Sequence, residues 1–168
     1  MAFRLASMYK KILVSIDLSA MNTQVLACGL SLAKAYQADV MLLHVLSPED
    51  EDSPLAIPPN LTEIYPTVGN DYTMETWRQQ WQEFEQKGVK MLQGFAEEAA
   101  SLGVKIEYQQ VPGIPGRTIC RVAASWQADL IVIGRRGLTS LMELFLGSVS
   151  NYVLHHAQCC VLIVRHKD

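Results

Sequence analysis

Four residues carry the clearest chemical pattern in this chain: Gly134, Gly137, Gly147 and Ser148. They follow a short apolar run, Asp129-Leu-Ile-Val-Ile133, and lead into a helical pattern that begins near Ser148. Glycine lets the backbone adopt φ > 0 and come close to a ligand. Successive free N–H groups can then form a nest for an anion. A helix starting near Gly147 adds its own unpaired N–H groups and the positive end of its dipole. The Ser148 hydroxyl can donate to a phosphate oxygen, and Arg135 or Arg136 can add charge. The chemistry this implies is phosphate binding. Taken alone, such a loop also fits a plain turn.

Other reactive side chains point less clearly. Asp17 ends a buried run, where it is either a ligand carboxylate or a cap for the following helix. His44 lies inside a second buried run and reads as a core histidine with its polar atoms satisfied. His155, His156, Cys159 and Cys160 are close in sequence, but zinc needs separate, convergent ligands and neighbouring histidines at a helix end diverge. The protein alone is therefore expected to hold no metal. There is no Gly-x-Ser-x-Gly elbow, no Gly-x4-Gly-Lys-Ser/Thr loop, and no Gly-x-Gly-x-x-Gly after the first strand. No general base stands beside the glycine loop, although Asp17 could hold Mg²⁺ through water. Any ATP hydrolysis is expected to be slow.

The elements that must position these residues are legible in the hydrophobic pattern. Lys11-Ile-Leu-Val-Ser-Ile-Asp17 and Asp39-Val-Met-Leu-Leu-His-Val45 are nearly unbroken apolar runs, as in strands buried on both faces. Between them Met21, Val25, Cys28, Leu32 and Tyr36 recur at helical spacing, with Ser19 placed to cap that helix. Residues 47–72 hold five of the seven prolines and the acidic run Glu49 to Asp52, and read as a long surface loop. A long helix is expected from about Thr73 to Leu102, with a break near Gly88. Trp77, Trp81 and Phe84 belong to its apolar stripe. Lys105–Val111 alternates and reads as a more exposed strand. Pro115 opens a further helix, and Cys160–Arg165 is the last strand. Alternation of strand and helix predicts an open parallel sheet with helices on both faces, an α/β fold. Ligands in such sheets bind beyond the carboxyl ends of the strands, which here means after Asp17, Val45 and Ile133.

The 168 residues suggest a single domain, 1–168, with residues 1–8 a loose leader. A net charge of −3 weighs against sequence-independent nucleic-acid binding. No apolar run approaches the ~20 residues of a membrane span. Four cysteines without a Cys-x-x-Cys motif fit a reducing cytoplasm.

The spacing Gly134-x2-Gly137-x9-Gly147-Ser148 resembles the nucleotide-binding signature of ATP-binding universal stress proteins. Lys10–Val14 with Asp17 and Ser19 resembles the opening strand of that family. Leu42–Val45, Gly113-Ile-Pro115, Ala128–Gly134 and Val161–Arg165 resemble its later segments, so the resemblance runs from about Met8 to Arg165. It implies a Rossmann-like five-stranded sheet in the order 3-2-1-4-5. It implies that Asp17 contacts a ribose and that Val45 meets adenine through its backbone. Ile133, Gly134 and Gly137 would lie along the nucleotide, Gly147, Ser148 and Val149 would hold its phosphates, and Arg136 could reach it. Ser15 stands beside the site where many relatives have proline. ATP, ADP or AMP would be the ligand, with Mg²⁺ as its companion, and Val161–Val164 would pair in a homodimer. The function implied is a nucleotide-binding stress-response regulator. A slow ATPase or nucleotide phosphotransferase, or an interaction module without nucleotide, are the alternatives.

Overall fold

The computed structural model describes residues 8–48, 50, 53–54, 71–135 and 147–165. Five strands are present: β1 (Lys11–Ile16), β2 (Asp39–Leu46), β3 (Ile106–Pro112), β4 (Leu130–Gly134) and β5 (Cys160–Val164). They form one sheet in the order β3-β2-β1-β4-β5, and every pairing is parallel. Ile12 sits opposite both Val40 and Leu130, so β1 is bonded along both edges. This is the α/β architecture expected from the sequence. The leader, most of the 47–72 loop, Arg136 and Gly137 lie outside the described residues.

Side chains along a strand alternate between faces, and here both faces are covered. Ile12, Val14 and Ile16 of β1, with Val40 and Leu42 of β2, pack against helix α1 (Asn22–Tyr36) and helix α2 (Asp71–Ser101). Leu13, Met41, Leu43, Ile131 and Ile133 face the other way. They meet helix α3 (Pro115–Trp126) and helix α4 (Ser148–His156) through Ile119, Val122, Ala123 and Val153. That is why the sequence shows continuous apolar runs with no polar alternation. Leu42 and Leu92 are wholly buried, and truncating either to alanine is expected to cost about 2–5 kcal/mol. Strand β3 lies at an edge and is largely exposed, in keeping with its alternating sequence. At the amino end of the sheet, Asp129 Oδ2 accepts from the Lys10 and Lys11 amides at 2.8 and 2.9 Å, fixing the start of β4 against β1.

Two local expectations are corrected. Ser19 does not cap α1 with its hydroxyl: the helix begins at Asn22, and the Asn22 amide donates to the Ser19 carbonyl oxygen at 3.2 Å. The hydroxyl donates to the Asp17 carboxylate and accepts from the Met21 amide at 3.4 Å, just ahead of the helix. Helix α2 is also unbroken through Gly88. The glycine is there because the helix passes close to the sheet. A Cβ at position 88 would fall 2.6 Å from His44 Nδ1 and closer still to Gln110 Oε1. Gly94, six residues on, has open space around it among the described residues.

These two glycines should therefore respond oppositely to the same change. Gly94→Ala is expected to stabilise the protein by about 1 kcal/mol through helix propensity. Gly88→Ala is expected to destabilise it by about 1–3 kcal/mol through the forced shift of His44 and Gln110. Urea midpoints of the two variants against the parent check both signs.

Candidate functional site

Strands β1 and β4 are neighbours, yet the chain leaves them toward opposite faces, into α1 and into α4. A cavity of about 300 Å³ opens between these exits at the carboxyl ends of the strands. Its volume is at the lower end of ordinary small-molecule sites. Ser15, Val45 and Ile133 line its floor from three adjacent strands. Ser15 lies opposite Ile133 in the sheet. Val45 and Ile133 both belong to the core under α3 and α4, so the floor continues that core to the surface.

Asp17 stands where β1 ends. Its Oδ1 accepts from the Ser19 amide at 3.0 Å and from the Ser19 hydroxyl. This tight turn fixes the carboxylate on the cavity wall. On the opposite side, Gly147, Ser148 and Val149 form the last wall. The first bond of α4 runs from the Asn151 amide to the Gly147 carbonyl oxygen at 2.9 Å. The amides of Ser148, Val149 and Ser150 precede that bond, in the turn where helical N–H groups have no intrahelical acceptor. The Ser150 hydroxyl donates to the Gly147 carbonyl oxygen at 3.0 Å and braces the turn. The arrangement joins a carboxylate, an apolar floor and a helix N-terminus, and can take a ligand with hydroxyls, a flat apolar body and an anionic end.

Of the residues singled out from the sequence, Ser15, Asp17, Val45, Ile133, Gly134, Gly147, Ser148 and Val149 are brought together around this cavity. Arg136 and Gly137 lie outside the described residues. The two described glycines of the loop do not use positive φ. Positive φ occurs among described glycines only at Gly103 and Gly113, and Gly147 has φ −57°. Gly134 is required by packing: a Cβ there would lie 2.9 Å from Cγ2 of the buried Val25. Among the described residues, a Cβ at Gly147 meets nothing nearer than Ser150 Oγ, at 3.8 Å.

The sequence reading passed over Asn22, Ile119, Ser150 and Asp50 as cavity residues. Asp50 was hidden in an acidic, proline-rich stretch. It stands against His44, which is wholly buried. Gln110 Nε2 donates to the Glu85 carbonyl oxygen at 3.1 Å, so Gln110 Oε1 is the atom that faces His44 Nδ1, at 2.9 Å. Nδ1 must then carry the hydrogen. That leaves Nε2 directed at Asp50 Oδ2, 3.7 Å away and beyond hydrogen-bond length. Among the described residues Nε2 has no hydrogen bond, so His44 is satisfied at one nitrogen rather than at both.

All four cysteines are free thiols. Burial raises the pKa of Cys28, Cys120 and Cys159. His156 Nδ1 lies 2.8 Å from the Tyr152 carbonyl oxygen, and its ring stacks on Tyr152. Among the described residues no group of three or more His, Cys, Asp or Glu side chains is placed to hold a metal ion. No helix among them is long and apolar enough to cross a membrane.

The sequence profile of the universal stress protein family matches residues 8–165. Universal stress protein Sll1388 of Synechocystis is 35% identical over 161 residues, covering 94% of this chain and 99% of its own. Universal stress protein Slr1101 of the same organism is 48% identical over 108 residues, 64% of this chain and all of its own. The solved structure of the protein MJ0577 from Methanocaldococcus jannaschii superposes with a TM-score of 0.70 at 26% identity, covering 96% of this chain and 99% of that one.

The two described glycines of the motif can be separated by stability alone. Gly134→Ala is expected to lower stability by about 1–3 kcal/mol, because Val25 must move. Gly147→Ala is expected to cost less, about 0.5–1 kcal/mol, because Gly147 is the N-cap of α4, where glycine is preferred to alanine. Thermal melts of the two proteins without added ligand test the contrast.

Proposed function

Because the chain belongs to the universal stress protein family, we propose that it is an adenine-nucleotide-binding stress-response regulator that holds ATP, ADP or AMP in the cavity at the carboxyl end of its sheet. The observation that carries this reading is the pairing of the Asp17 carboxylate with the amino end of α4 across one apolar floor. A nucleotide has matching parts in the same order. Asp17 would accept from the ribose hydroxyls, and Val45 would meet the base through its backbone. Ser15, Ile133 and Gly134 would lie beneath the ligand. The amides of Gly147, Ser148 and Val149, with the Ser148 hydroxyl, would take the phosphates at the positive end of the helix. By the family resemblance, Gly137 would lie along the nucleotide and Arg136 could reach it. Mg²⁺ would enter with a di- or triphosphate and neutralise its charge.

Structural neighbours support the choice of ligand. A universal stress protein family member from Arabidopsis thaliana was solved with AMP bound, another universal stress protein with cAMP, and one from Archaeoglobus fulgidus with dAMP. They share the fold at 21%, 23% and 18% identity.

We read the protein as a binder first and at most a slow ATPase. The Oδ1 atom of Asp17 already accepts from Ser19, which leaves it a weak candidate for activating water. In the described sheet β5 pairs only with β4. Its free edge, Val161–Val164, would join a second copy, since an open strand edge is otherwise exposed to unwanted pairing. Nucleotide would then act by altering that dimer or the 47–72 loop. The free thiols fit a cytoplasmic setting.

Protein purified from cells and then denatured should release an adenine nucleotide, identified by mass spectrometry, at a level approaching one per chain. An empty protein that also ignores added ATP, ADP and AMP would favour the interaction-module reading. Gly147→Val should keep the parent's melting temperature within about 2 °C, a shift below 1 kcal/mol, yet lose at least about tenfold in AMP affinity by calorimetry. Its side chain would enter the phosphate end of the cavity. Unchanged affinity would remove Gly147 from the site.

A further inference from the structure

The floor of the cavity is apolar but for Ser15, which is 9% exposed and lines it. Side chains alternate along a strand, so Ser15 faces the same way as Leu13, toward α3 and α4. Its neighbours in the sheet are Leu43 on β2 and Ile133 on β4, both apolar and buried. Val45 and Ile119, also apolar and buried, share the lining with it. Ser15 is thus the polar interruption of an otherwise apolar run, Ile12-Leu-Val-Ser-Ile16. Among the described residues its hydroxyl forms no hydrogen bond. The oxygen is not sealed in the core, as His44 Nε2 is, and it opens on the cavity.

A hydroxyl both donates and accepts. In the ligand-free protein, water can reach it through the cavity. A ligand seated on the floor displaces that water. It must then supply a hydrogen bond of its own or leave the hydroxyl buried and unpaired, which is unfavourable. The surroundings decide which part of a nucleotide suits this place. The amides fitted to an anion are at the start of α4. At Ser15 an ionised phosphate would give up its water among apolar side chains for one neutral partner, at a high cost. A neutral polar atom of a base or a ribose fits there. Asp17, two residues or about 7 Å further along the chain, stands on the wall of the same cavity. The two side chains together offer a nucleoside one contact from below and one from the side.

We propose that the Ser15 hydroxyl is a ligand-contacting group that hydrogen-bonds the nucleoside half of the bound nucleotide and sets how deeply it seats. This rests on the nucleotide-binding reading given above and deepens it at the floor. AMP and adenosine are the right probes, since they share base and ribose and differ by the phosphate.

Calorimetric titration should show AMP, and adenosine by displacement of AMP, binding Ser15→Ala about three- to tenfold more weakly than the parent. The factor should be common to both, the worth of one neutral hydrogen bond. Without ligand, Ser15→Ala should melt no more than about 2 °C below the parent, because water rather than protein satisfies the hydroxyl there. The 2′-deoxy and 3′-deoxy forms of AMP then tell sugar from base. If one of them loses its sensitivity to the variant, the partner is that sugar hydroxyl, and if both keep it, the partner is on the base; either result supports the contact. Unchanged affinity for AMP and adenosine overturns the assignment of Ser15 and leaves nucleotide binding standing. Weakening of AMP alone, or a parent that takes AMP but no adenosine, overturns the nucleoside contact. A larger fall in the ligand-free melt makes the hydroxyl a structural group and also overturns the proposal. A parent that binds neither compound overturns both readings together.

Discussion

Everything functional in this molecule depends on strand β1 being paired along both edges. Its left and right neighbours, β2 and β4, are far apart in sequence, and the chain reaches the second only after returning from the β3 edge. Strands β1 and β2 send their helices to one face, and β3 and β4 send theirs to the other. Only between β1 and β4 do the connections of adjacent strands also lead away from each other, from β1 toward β2 and from β4 toward β5. The crevice there is a product of chain order, and it would exist for any side chains able to bury both faces. Pairing also lines up Ser15 with Ile133, so the floor of the cavity is set by strand register.

Much of this was legible in the sequence, for a definite reason. A strand covered on both faces needs apolar residues at every position, and the runs in β1, β2 and β4 have them. The helices announced themselves by stripe spacing and by Pro115 at a helix start. The failures share a cause as well. Gly88 reads as a helix breaker because the ring it accommodates, His44, is 44 positions away in the chain. Ser19 reads as a cap because its competition for Asp17 depends on the turn between them. Asp50 was obscured by a stretch whose composition says only that it is solvated. In each case a contact distant in sequence, or the shape of a turn, decided the outcome.

The cavity residues divide along the same line. Asp17, Val45 and Ser148 could be named in advance because each sits at the end of an element whose direction was clear. Asn22 and Ser150 could not. Their part in the wall follows from the angle at which helices α1 and α4 enter, which packing determines. His44 joins both groups. It is a core residue by burial and a wall residue through Asp50, and one ring serves the inside of the fold and the rim of its cavity.

The crowding at Gly134 has a bearing on how this signature is used elsewhere. A motif is usually read as though each of its positions testifies to the ligand. Gly134 answers to Val25, a residue of the core, so a descendant that gave up its ligand would still be held to glycine there by the cost of unpacking α1 from β4. Among the described residues nothing crowds Gly147 in this way, so drift would meet less resistance there. The two glycines are therefore unequal witnesses. A sequence that keeps the first and has lost the second reports an intact scaffold around an abandoned pocket.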